Sequence, residues 1–136
     1  MKIKMISAEE TLPIRFVVLW PSKSEEFCRV EEDEQGLHYG AFDGDKLVCV
    51  ASIFIENGSA RLRKFATLHD YQGKGIGSQV LQRIISDLQA KQVRQLWCDA
   101  RETAVGLYQR FAMNKCGERF YKGDVPYFRM SVEWHD

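Results

Sequence analysis

The residues whose types and spacing most clearly suit ligand binding form a glycine-rich run, Gln72-Gly73-Lys74-Gly75-Ile76-Gly77, in which glycine recurs at alternate positions. Glycine adopts positive φ angles readily and leaves its amide uncovered, so successive N–H groups can turn toward one point and bind an anion. A strongly periodic helical pattern follows the run, and a helix N-terminus adds unpaired N–H groups and the positive end of its dipole. With the charge of Lys74 nearby, the run predicts a phosphate-binding loop.

Two common phosphate-binding motifs do not fit this run. A Walker loop requires G-x-x-x-x-G-K-[ST], which the chain does not contain. A dinucleotide fingerprint requires G-x-G-x-x-G after the first strand of a parallel βαβ unit, but Ser78 occupies the place of the third glycine and the preceding strands have the pattern of hairpins. A nucleotide-binding protein therefore stays open only as the less supported alternative.

Periodicity predicts the elements that must position this loop. Strand-like runs precede it at 37–42, 47–56 and 60–68, and the dipeptides Asp43-Gly44 and Asn57-Gly58 between them are typical of tight hairpins. An antiparallel meander is therefore expected before the loop. After the loop, apolar residues recur at helical spacing and predict an amphipathic helix. These residues are Ile76, Val80, Leu81, Ile84, Ile85 and Leu88.

The two ends of the chain have weaker patterns. Alternation over 2–6 suits a strand, and Ser7 with Glu10 forms the capping box of a helix that should run to Trp20. An acidic stretch over 22–35 predicts a loop or a short second helix. A buried strand at 95–100, a helix carrying Tyr108, and closing strands at 118–122 and 127–134 complete the pattern.

Composition limits the class of protein. The 136 residues suit one domain, and 19 basic side chains balance 19 acidic ones, which argues against nucleic acid or an anionic membrane as the main partner. The cysteines are widely separated, with no pattern of metal ligands, so no metal is expected. Without a signal peptide or a long apolar run, the chain is expected to be cytoplasmic.

The order of elements and the segment Gln72-x-x-Gly75-x-Gly77 resemble the GNAT superfamily of acetyl-coenzyme A dependent N-acetyltransferases, over essentially the whole chain. The resemblance implies an α/β (α+β) fold: a mixed, mostly antiparallel sheet of about seven strands, flanked by helices and splayed between the fourth and fifth strands. It also implies that Q/R-x-x-G-x-G/A holds the pyrophosphate of coenzyme A, and that acetyl-CoA is the cosubstrate.

The same resemblance implies roles for individual residues. The strand before the loop should pair with the pantetheine arm, the neighbouring strand should end at Asp99, and the helix that begins near Ala104 should form the other wall. Tyr108 on that helix would act as the general acid that protonates the departing thiolate. The expected cofactor-binding residues are Phe65, Ala66, Thr67, Gln72, Gly73, Lys74, Gly75, Ile76, Gly77, Ser78, Asp99 and Ala104.

Two points stay open at the level of sequence. The general base is not assigned, because Asp99, Glu56, Glu118 and His38 are all eligible and spacing selects none of them. Most members of the superfamily end the Tyr108 helix with Gly-Phe, whereas this chain has Ala112-Met113. Since alanine at positive φ costs about 1 kcal/mol, either the helix runs on or the turn is rebuilt.

The expected activity is transfer of an acetyl group from acetyl-CoA to a primary amine of a small molecule or peptide, by direct attack of the amine. The alternative is a catalytically weak sensor or scaffold of the same fold that binds acyl-CoA. Tyr108 could also be a plain core aromatic, because it shares a helix face with Ala104 and Phe111. The closing strands could pair across a homodimer.

Overall fold

A computed structural model describes residues 1–135. Those residues contain eight strands and three α-helices, and short 3₁₀ turns connect several of them. The helices are α1 (Ala8–Ile14), α2 (Ile76–Ala90) and α3 (Val105–Gln109). The strands are β1 (Lys2–Ile6), β2 (Leu37–Asp43), β3 (Lys46–Glu56), β4 (Ser59–Thr67), β5 (Gln95–Arg101), β6 (Asn114–Lys115), β7 (Phe120–Lys122) and β8 (Val125–Glu133).

The strands are hydrogen-bonded in the order β1-β2-β3-β4-β5-β8-β6, and β7 also pairs with β8. The sheet is mixed, because β4 and β5 are parallel whereas β1 with β2, β2 with β3, and β5 with β8 are antiparallel. The predicted fold class is therefore confirmed. The additional strand is β6, whose two residues are too short to give a periodic signal.

The chain divides into two compact units, of which unit 1 contains Met1–Phe54 and Leu62–Ser86. In this unit, Ile14 of α1 packs with Val50 of β3 and Ala66 of β4 in a buried cluster. The capping box predicted at the start of α1 is present. The Ser7 amide donates to Glu10 Oε1 at 2.9 Å, and the Glu10 amide donates to Ser7 Oγ at 3.2 Å.

The first helix changes its winding instead of running uniformly to Trp20. Pro13 lies inside α1, and Arg15–Leu19 continues the chain as a π-helix that ends at Trp20. Proline lacks an amide proton and its ring crowds the carbonyl four residues earlier, so it disrupts regular α-helical bonding. The helical segment thus ends where it was predicted to end, but it consists of an α-helix followed by a π-helix and not of a single helix.

Helix α2 has the amphipathic pattern predicted for it. Its inward positions are all buried, and they are Ile76, Val80, Leu81, Ile84, Ile85 and Leu88. Burial of each such side chain is worth about 1.5–3 kcal/mol, so this face holds the helix firmly in place. Arg83 also donates to the carbonyl of Ile3 at 3.1 Å, which ties the helix to β1. Within residues 1–135, none of the helices has the length and apolar character needed to cross a membrane.

Unit 2 contains Ile55–Arg61 and the described residues from Asp87 onward. Its central pair is β5 with β8, and the first residues of β4, Ser59 to Arg61, pair in parallel with β5. Asn57 and Gly58 both have positive φ, at 53° and 78°, which confirms the tight hairpin predicted between β3 and β4.

The turn after α3 retains its shape although alanine replaces the usual glycine. Ala112 has a φ of 67°, its amide donates to the Gln109 carbonyl at 3.1 Å, and the Met113 amide donates to the Tyr108 carbonyl at 3.2 Å. This pair of bonds is a Schellman motif. The helix therefore neither runs on nor has a rebuilt turn, and both expectations were wrong. Met113 is 1% exposed and fills the apolar position after the turn.

Candidate functional site

The glycine run forms an open turn before α2 in unit 1. Gly73 and Gly75 have φ angles of 75° and 79°, and a Cβ built on either would meet no atom within 4 Å. Gly77 differs, because it lies inside α2 and a Cβ there would stand 3.4 Å from the Phe65 ring. The first two glycines thus supply the backbone conformation, while a Cβ at the third would make an ordinary van der Waals contact with Phe65.

The amides of this turn are available to a ligand. In the described part of the chain, the backbone N–H groups of residues 73 to 78 donate no hydrogen bond to a protein acceptor. The first helical bond runs from the Gln79 amide to the Gly75 carbonyl at 3.1 Å. Consecutive unpaired N–H groups at the start of a fifteen-residue helix favour an anion, since the dipole of the helix has the same sign there.

Hydrogen bonds fasten the glycine run to the end of β4. Gln72 Nε2 donates to the Thr67 carbonyl at 2.9 Å, and the Leu68 amide donates to the Val48 carbonyl at 2.9 Å. Thr67 Oγ1 donates to Cys49 Sγ at 3.2 Å, and burial raises the pKa of that thiol to about 11. Cys49 is therefore protonated at neutral pH and serves as packing.

Two lysines lie near the Tyr71 ring at the edge of the glycine run, an arrangement that sequence reasoning missed. Lys74 Nζ lies 5.6 Å and Lys46 Nζ 5.4 Å from the centre of the Tyr71 ring. The Tyr71 hydroxyl donates to Asp43 Oδ2 at 2.9 Å, and this hydrogen bond raises the pKa of Tyr71. Lys46 lies far from the run in sequence, so no local motif could have indicated it.

Tyr108 lies on α3 in unit 2 and is only 7% exposed. Burial raises the pKa of Tyr108 well above its ordinary value, and the neighbouring Cys98 thiol raises it further. Burial likewise raises the pKa of Cys98 to about 12. The phenol is therefore protonated at neutral pH, as a general acid must be, although it is a weaker acid than an exposed tyrosine. The same degree of burial would also be found for a tyrosine that only packs in the core and has no catalytic role.

Asp99 on β5 is surrounded by cations within unit 2. Its side chain is 9% exposed and accepts from Arg129 Nε at 3.0 Å and Arg61 at 3.4 Å, with Lys122 Nζ at 3.8 Å. Both guanidiniums also lie over the Trp97 ring: that of Arg61 is 4.6 Å and that of Arg129 is 4.3 Å from the centre of the ring. The Asp99 carboxylate is thus engaged by protein cations.

The structure assigns no general base. His38 is buried, and both ring nitrogens are used: Nε2 lies 2.8 Å from the Asp33 carbonyl and Nδ1 2.7 Å from Ser52 Oγ. Because a carbonyl can only accept, Nε2 carries a proton, and Nδ1 is occupied by the hydrogen bond with the Ser52 hydroxyl. Glu56 and Glu118 are exposed at strand or loop ends. The base therefore stays unassigned.

A buried ion pair fixes the segment between Trp20 and β2, and sequence reasoning also missed it. Arg15 is 0% exposed and donates to both carboxylate oxygens of Asp33, at 2.8 and 3.0 Å. Arg15 also donates to Ser52 Oγ at 2.9 Å and to the Cys28 carbonyl at 3.1 Å. In the sequence, Arg15 lies among apolar residues of the first helix, which indicates that its side chain is buried. No local motif identifies Asp33 as its partner.

The structure thus distributes the expected site residues over both units. In unit 1 it brings together Phe65, Ala66 and Thr67 at the end of β4 with Gln72 to Ser78. In unit 2 it places Asp99 within β5, Ala104 in the 3₁₀ turn before α3, and Tyr108 on α3. The expectation that this strand ends at Asp99 was wrong, because its ladder with β8 continues to Arg101. Among residues 1–135, no cluster of histidine, cysteine, aspartate or glutamate could hold a metal ion.

Comparisons with known proteins place this geometry in a family. Residues 18–134 match the family model described as an acetyltransferase (GNAT) domain. An uncharacterized N-acetyltransferase of Bacillus subtilis strain 168, YitI, is 33% identical over 135 residues, which covers 93% of this chain and 89% of the relative.

Solved structures agree with this fold. The ribosomal-protein-S18-alanine N-acetyltransferase of Escherichia coli is 21% identical with a TM-score of 0.82, over 97% of this chain and 92% of that one. A Bacillus subtilis acetyltransferase in complex with CoA is 17% identical with a TM-score of 0.77, over 98% and 99% of the two chains. At these identities the likeness concerns the fold.

Proposed function

This chain belongs to the GNAT family of acetyltransferases, and we propose that it transfers an acetyl group from acetyl-CoA to a primary amine of a small molecule or peptide. The observation that carries the proposal is the row of unpaired amides at residues 73 to 78, at the start of α2. Such a row matches the diphosphate of coenzyme A in charge and in hydrogen-bonding capacity. A protein of the same fold was solved with CoA bound, which supports this ligand.

The reaction requires a neutral amine, a polarised carbonyl and a leaving thiolate. An alkylamine has a pKa of about 10, so it must lose a proton before it attacks the thioester directly. We assign the oxyanion to a backbone N–H of Phe65, Ala66 or Thr67, a donor whose loss would cost roughly 3 kcal/mol. We assign protonation of the departing thiolate to Tyr108, whose buried phenol keeps its proton at neutral pH.

The test is release of free coenzyme A when the protein is incubated with acetyl-CoA and a panel of amines. The panel should contain free amino acids, polyamines, aminosugars and peptides with a free N-terminus. We expect at least one class to release thiol far above the rate without amine. The acetylated product is then identified by mass spectrometry.

A pair of matched glycine variants tests whether the loop carries this activity. Gly75 and Gly58 have φ angles of 79° and 78°, and a Cβ on either would meet nothing within 4 Å. Gly75→Ala and Gly58→Ala should therefore lose a similar stability, about 1 kcal/mol. Only Gly75→Ala should weaken CoA binding, because its methyl group enters the space in front of the amides. Equal CoA affinity in both variants would contradict the placement of the diphosphate.

The second candidate is a sensor or scaffold that binds acyl-CoA without turnover. The observation in its favour is that His38 and Asp99, both eligible as bases, are engaged by protein groups. This candidate predicts CoA binding with no thiol release across the whole amine panel. Release with any amine excludes it.

A further inference from the structure

Two exposed lysines lie at the glycine run. Lys46 and Lys74 are exposed, and their ammonium groups lie 5.4 and 5.6 Å from the centre of the same Tyr71 ring. Within residues 1–135, neither ammonium forms an ion pair with an aspartate or glutamate. The two ammonium groups thus lie at one edge of a row of unpaired amides, where the Asp43 carboxylate is engaged by the Tyr71 hydroxyl. Each of them can therefore attract a phosphate.

The turn between β2 and β3 is attached to this edge, so Lys46 has a defined position. The Tyr71 hydroxyl donates to Asp43 Oδ2 at 2.9 Å, which links the 3₁₀ turn before the glycine run to the end of β2. The Leu68 amide donates to the Val48 carbonyl at 2.9 Å, two residues after Lys46. Lys46 is therefore held beside the glycine run although it lies far from it in sequence.

The number of cationic groups exceeds what a diphosphate needs. The amides of residues 73 to 78 and Lys74, which lies within the run, suffice for two linked phosphates. Coenzyme A carries a third phosphate, a monoester on the 3′ oxygen of its ribose, whose charge approaches −2 at neutral pH. Lys46 is a further cation beside the same loop, and a flexible ammonium suits an exposed phosphate as a point charge.

We infer that Lys46 binds the 3′-phosphate of coenzyme A, while Lys74 serves the diphosphate. The inference rests on the proposed function, because it concerns the same cosubstrate. Its consequence is selectivity: the protein discriminates coenzyme A from 3′-dephospho-coenzyme A through Lys46. A loop that recognised only the diphosphate would bind both ligands equally.

The experiment measures the affinity of the whole chain for coenzyme A and for 3′-dephospho-coenzyme A by calorimetry. The wild-type protein should bind coenzyme A about five- to tenfold more tightly, as expected for one exposed charge-assisted contact. Lys46→Met and Lys46→Gln should lose this preference and keep the wild-type affinity for the dephospho ligand. Lys74→Met should weaken the binding of both coenzyme A and 3′-dephospho-coenzyme A.

Lys4→Met is the matched control, because Lys4 is also exposed and its ammonium lies 4.7 Å from the centre of an aromatic ring, that of Phe42 on β2. Lys4→Met should keep the wild-type preference. If the wild-type protein shows no preference, or if both Lys46 variants retain it, the inference is overturned while the proposed function stands. If the wild-type protein binds neither ligand, the proposed function falls and the inference falls with it.

Discussion

At the scale of residues, chemical roles depend on which groups are left without a protein partner. The glycine run was identified from sequence because glycine spacing reports directly on the backbone, and Gly73 and Gly75 do adopt positive φ. Lys46 was not identified, because only the folded hairpin brings it to Tyr71. His38 was an eligible base in the sequence, and its hydrogen bonds to Ser52 and Asp33 account for both of its nitrogens.

Tyr108→Phe tests the proposed general acid. We expect turnover to fall about tenfold to a thousandfold with nearly unchanged CoA affinity, because the variant removes a proton donor and keeps the ring. Burial raises the pKa of Tyr108 well above its ordinary value, so the phenol keeps its proton up to at least about pH 10. Deprotonation of Tyr108 should therefore not lower wild-type activity below that pH. Steady-state kinetics and calorimetry provide both quantities. Wild-type turnover in the variant would leave Tyr108 as a core aromatic.

Ala112→Gly should stabilise the protein by about 1 kcal/mol. Ala112 has a φ of 67° in its Schellman motif, and glycine adopts this conformation without the steric cost of a Cβ. Ala90→Gly at the end of α2 is the control, and it should destabilise by about 0.5–1 kcal/mol. Urea denaturation measures both changes. A loss of stability in Ala112→Gly would mean that the turn does not strain alanine.

At the scale of elements, periodic segments were predicted with their bounds, whereas aperiodic ones were predicted only as a loop or a short helix. The predicted strands at 37–42 and 47–56 match β2 and β3 within one residue, because alternation and turn dipeptides both mark their ends. The stretch over 22–35 folds as two 3₁₀ turns, which leave no periodic trace. Its position depends on Asp33, whose partner Arg15 lies in another element.

Asp33→Asn should lower the free energy of unfolding by about 3–5 kcal/mol, because it leaves the Arg15 guanidinium buried without a counter-charge. The control is Glu26→Gln in the same segment. Glu26 accepts from Arg29 at 3.0 Å on the surface, where an ion pair contributes about 1 kcal/mol or less. Denaturant titrations at pH 7 compare the two variants. Equal effects would show that burial of the Arg15 pair has no special cost.

The same ion pair predicts how stability depends on pH. Burial alone would raise the pKa of Asp33, but hydrogen bonds from Arg15 and the Val30 amide outweigh it, and the pKa is lowered. A lowered carboxylate pKa contributes stability above its unfolded value, about 3.9, and this contribution disappears as pH falls through the folded pKa. Wild-type stability should therefore drop more steeply below about pH 4 than that of Asp33→Asn. Parallel curves would contradict this assignment.

At the scale of the whole molecule, average composition hides local charge. The 19 basic and 19 acidic side chains cancel, so the chain has no general excess of charge. Locally, however, Lys46 and Lys74 stand beside unpaired amides in unit 1. Charge placement depends on strand register and turns, so a sequence-level sum could not predict it. The resemblance to the GNAT family supplied the fold and the hypothesis of a diphosphate-binding loop, whereas the acceptor amine has no comparable signature.

The ligand that the whole chain recognises should also govern its thermal stability. A ligand that binds only the native state at 100 times its Kd adds about 2.7 kcal/mol, which for a domain of this size raises Tm by on the order of 10 °C. We expect this shift with coenzyme A and acetyl-CoA, and a much smaller one with ATP or NAD at equal concentration, since neither has a pantetheine arm to pair with β4. Differential scanning calorimetry at constant ionic strength measures it. A larger shift with ATP or NAD would favour the nucleotide-binding alternative that the glycine spacing left open.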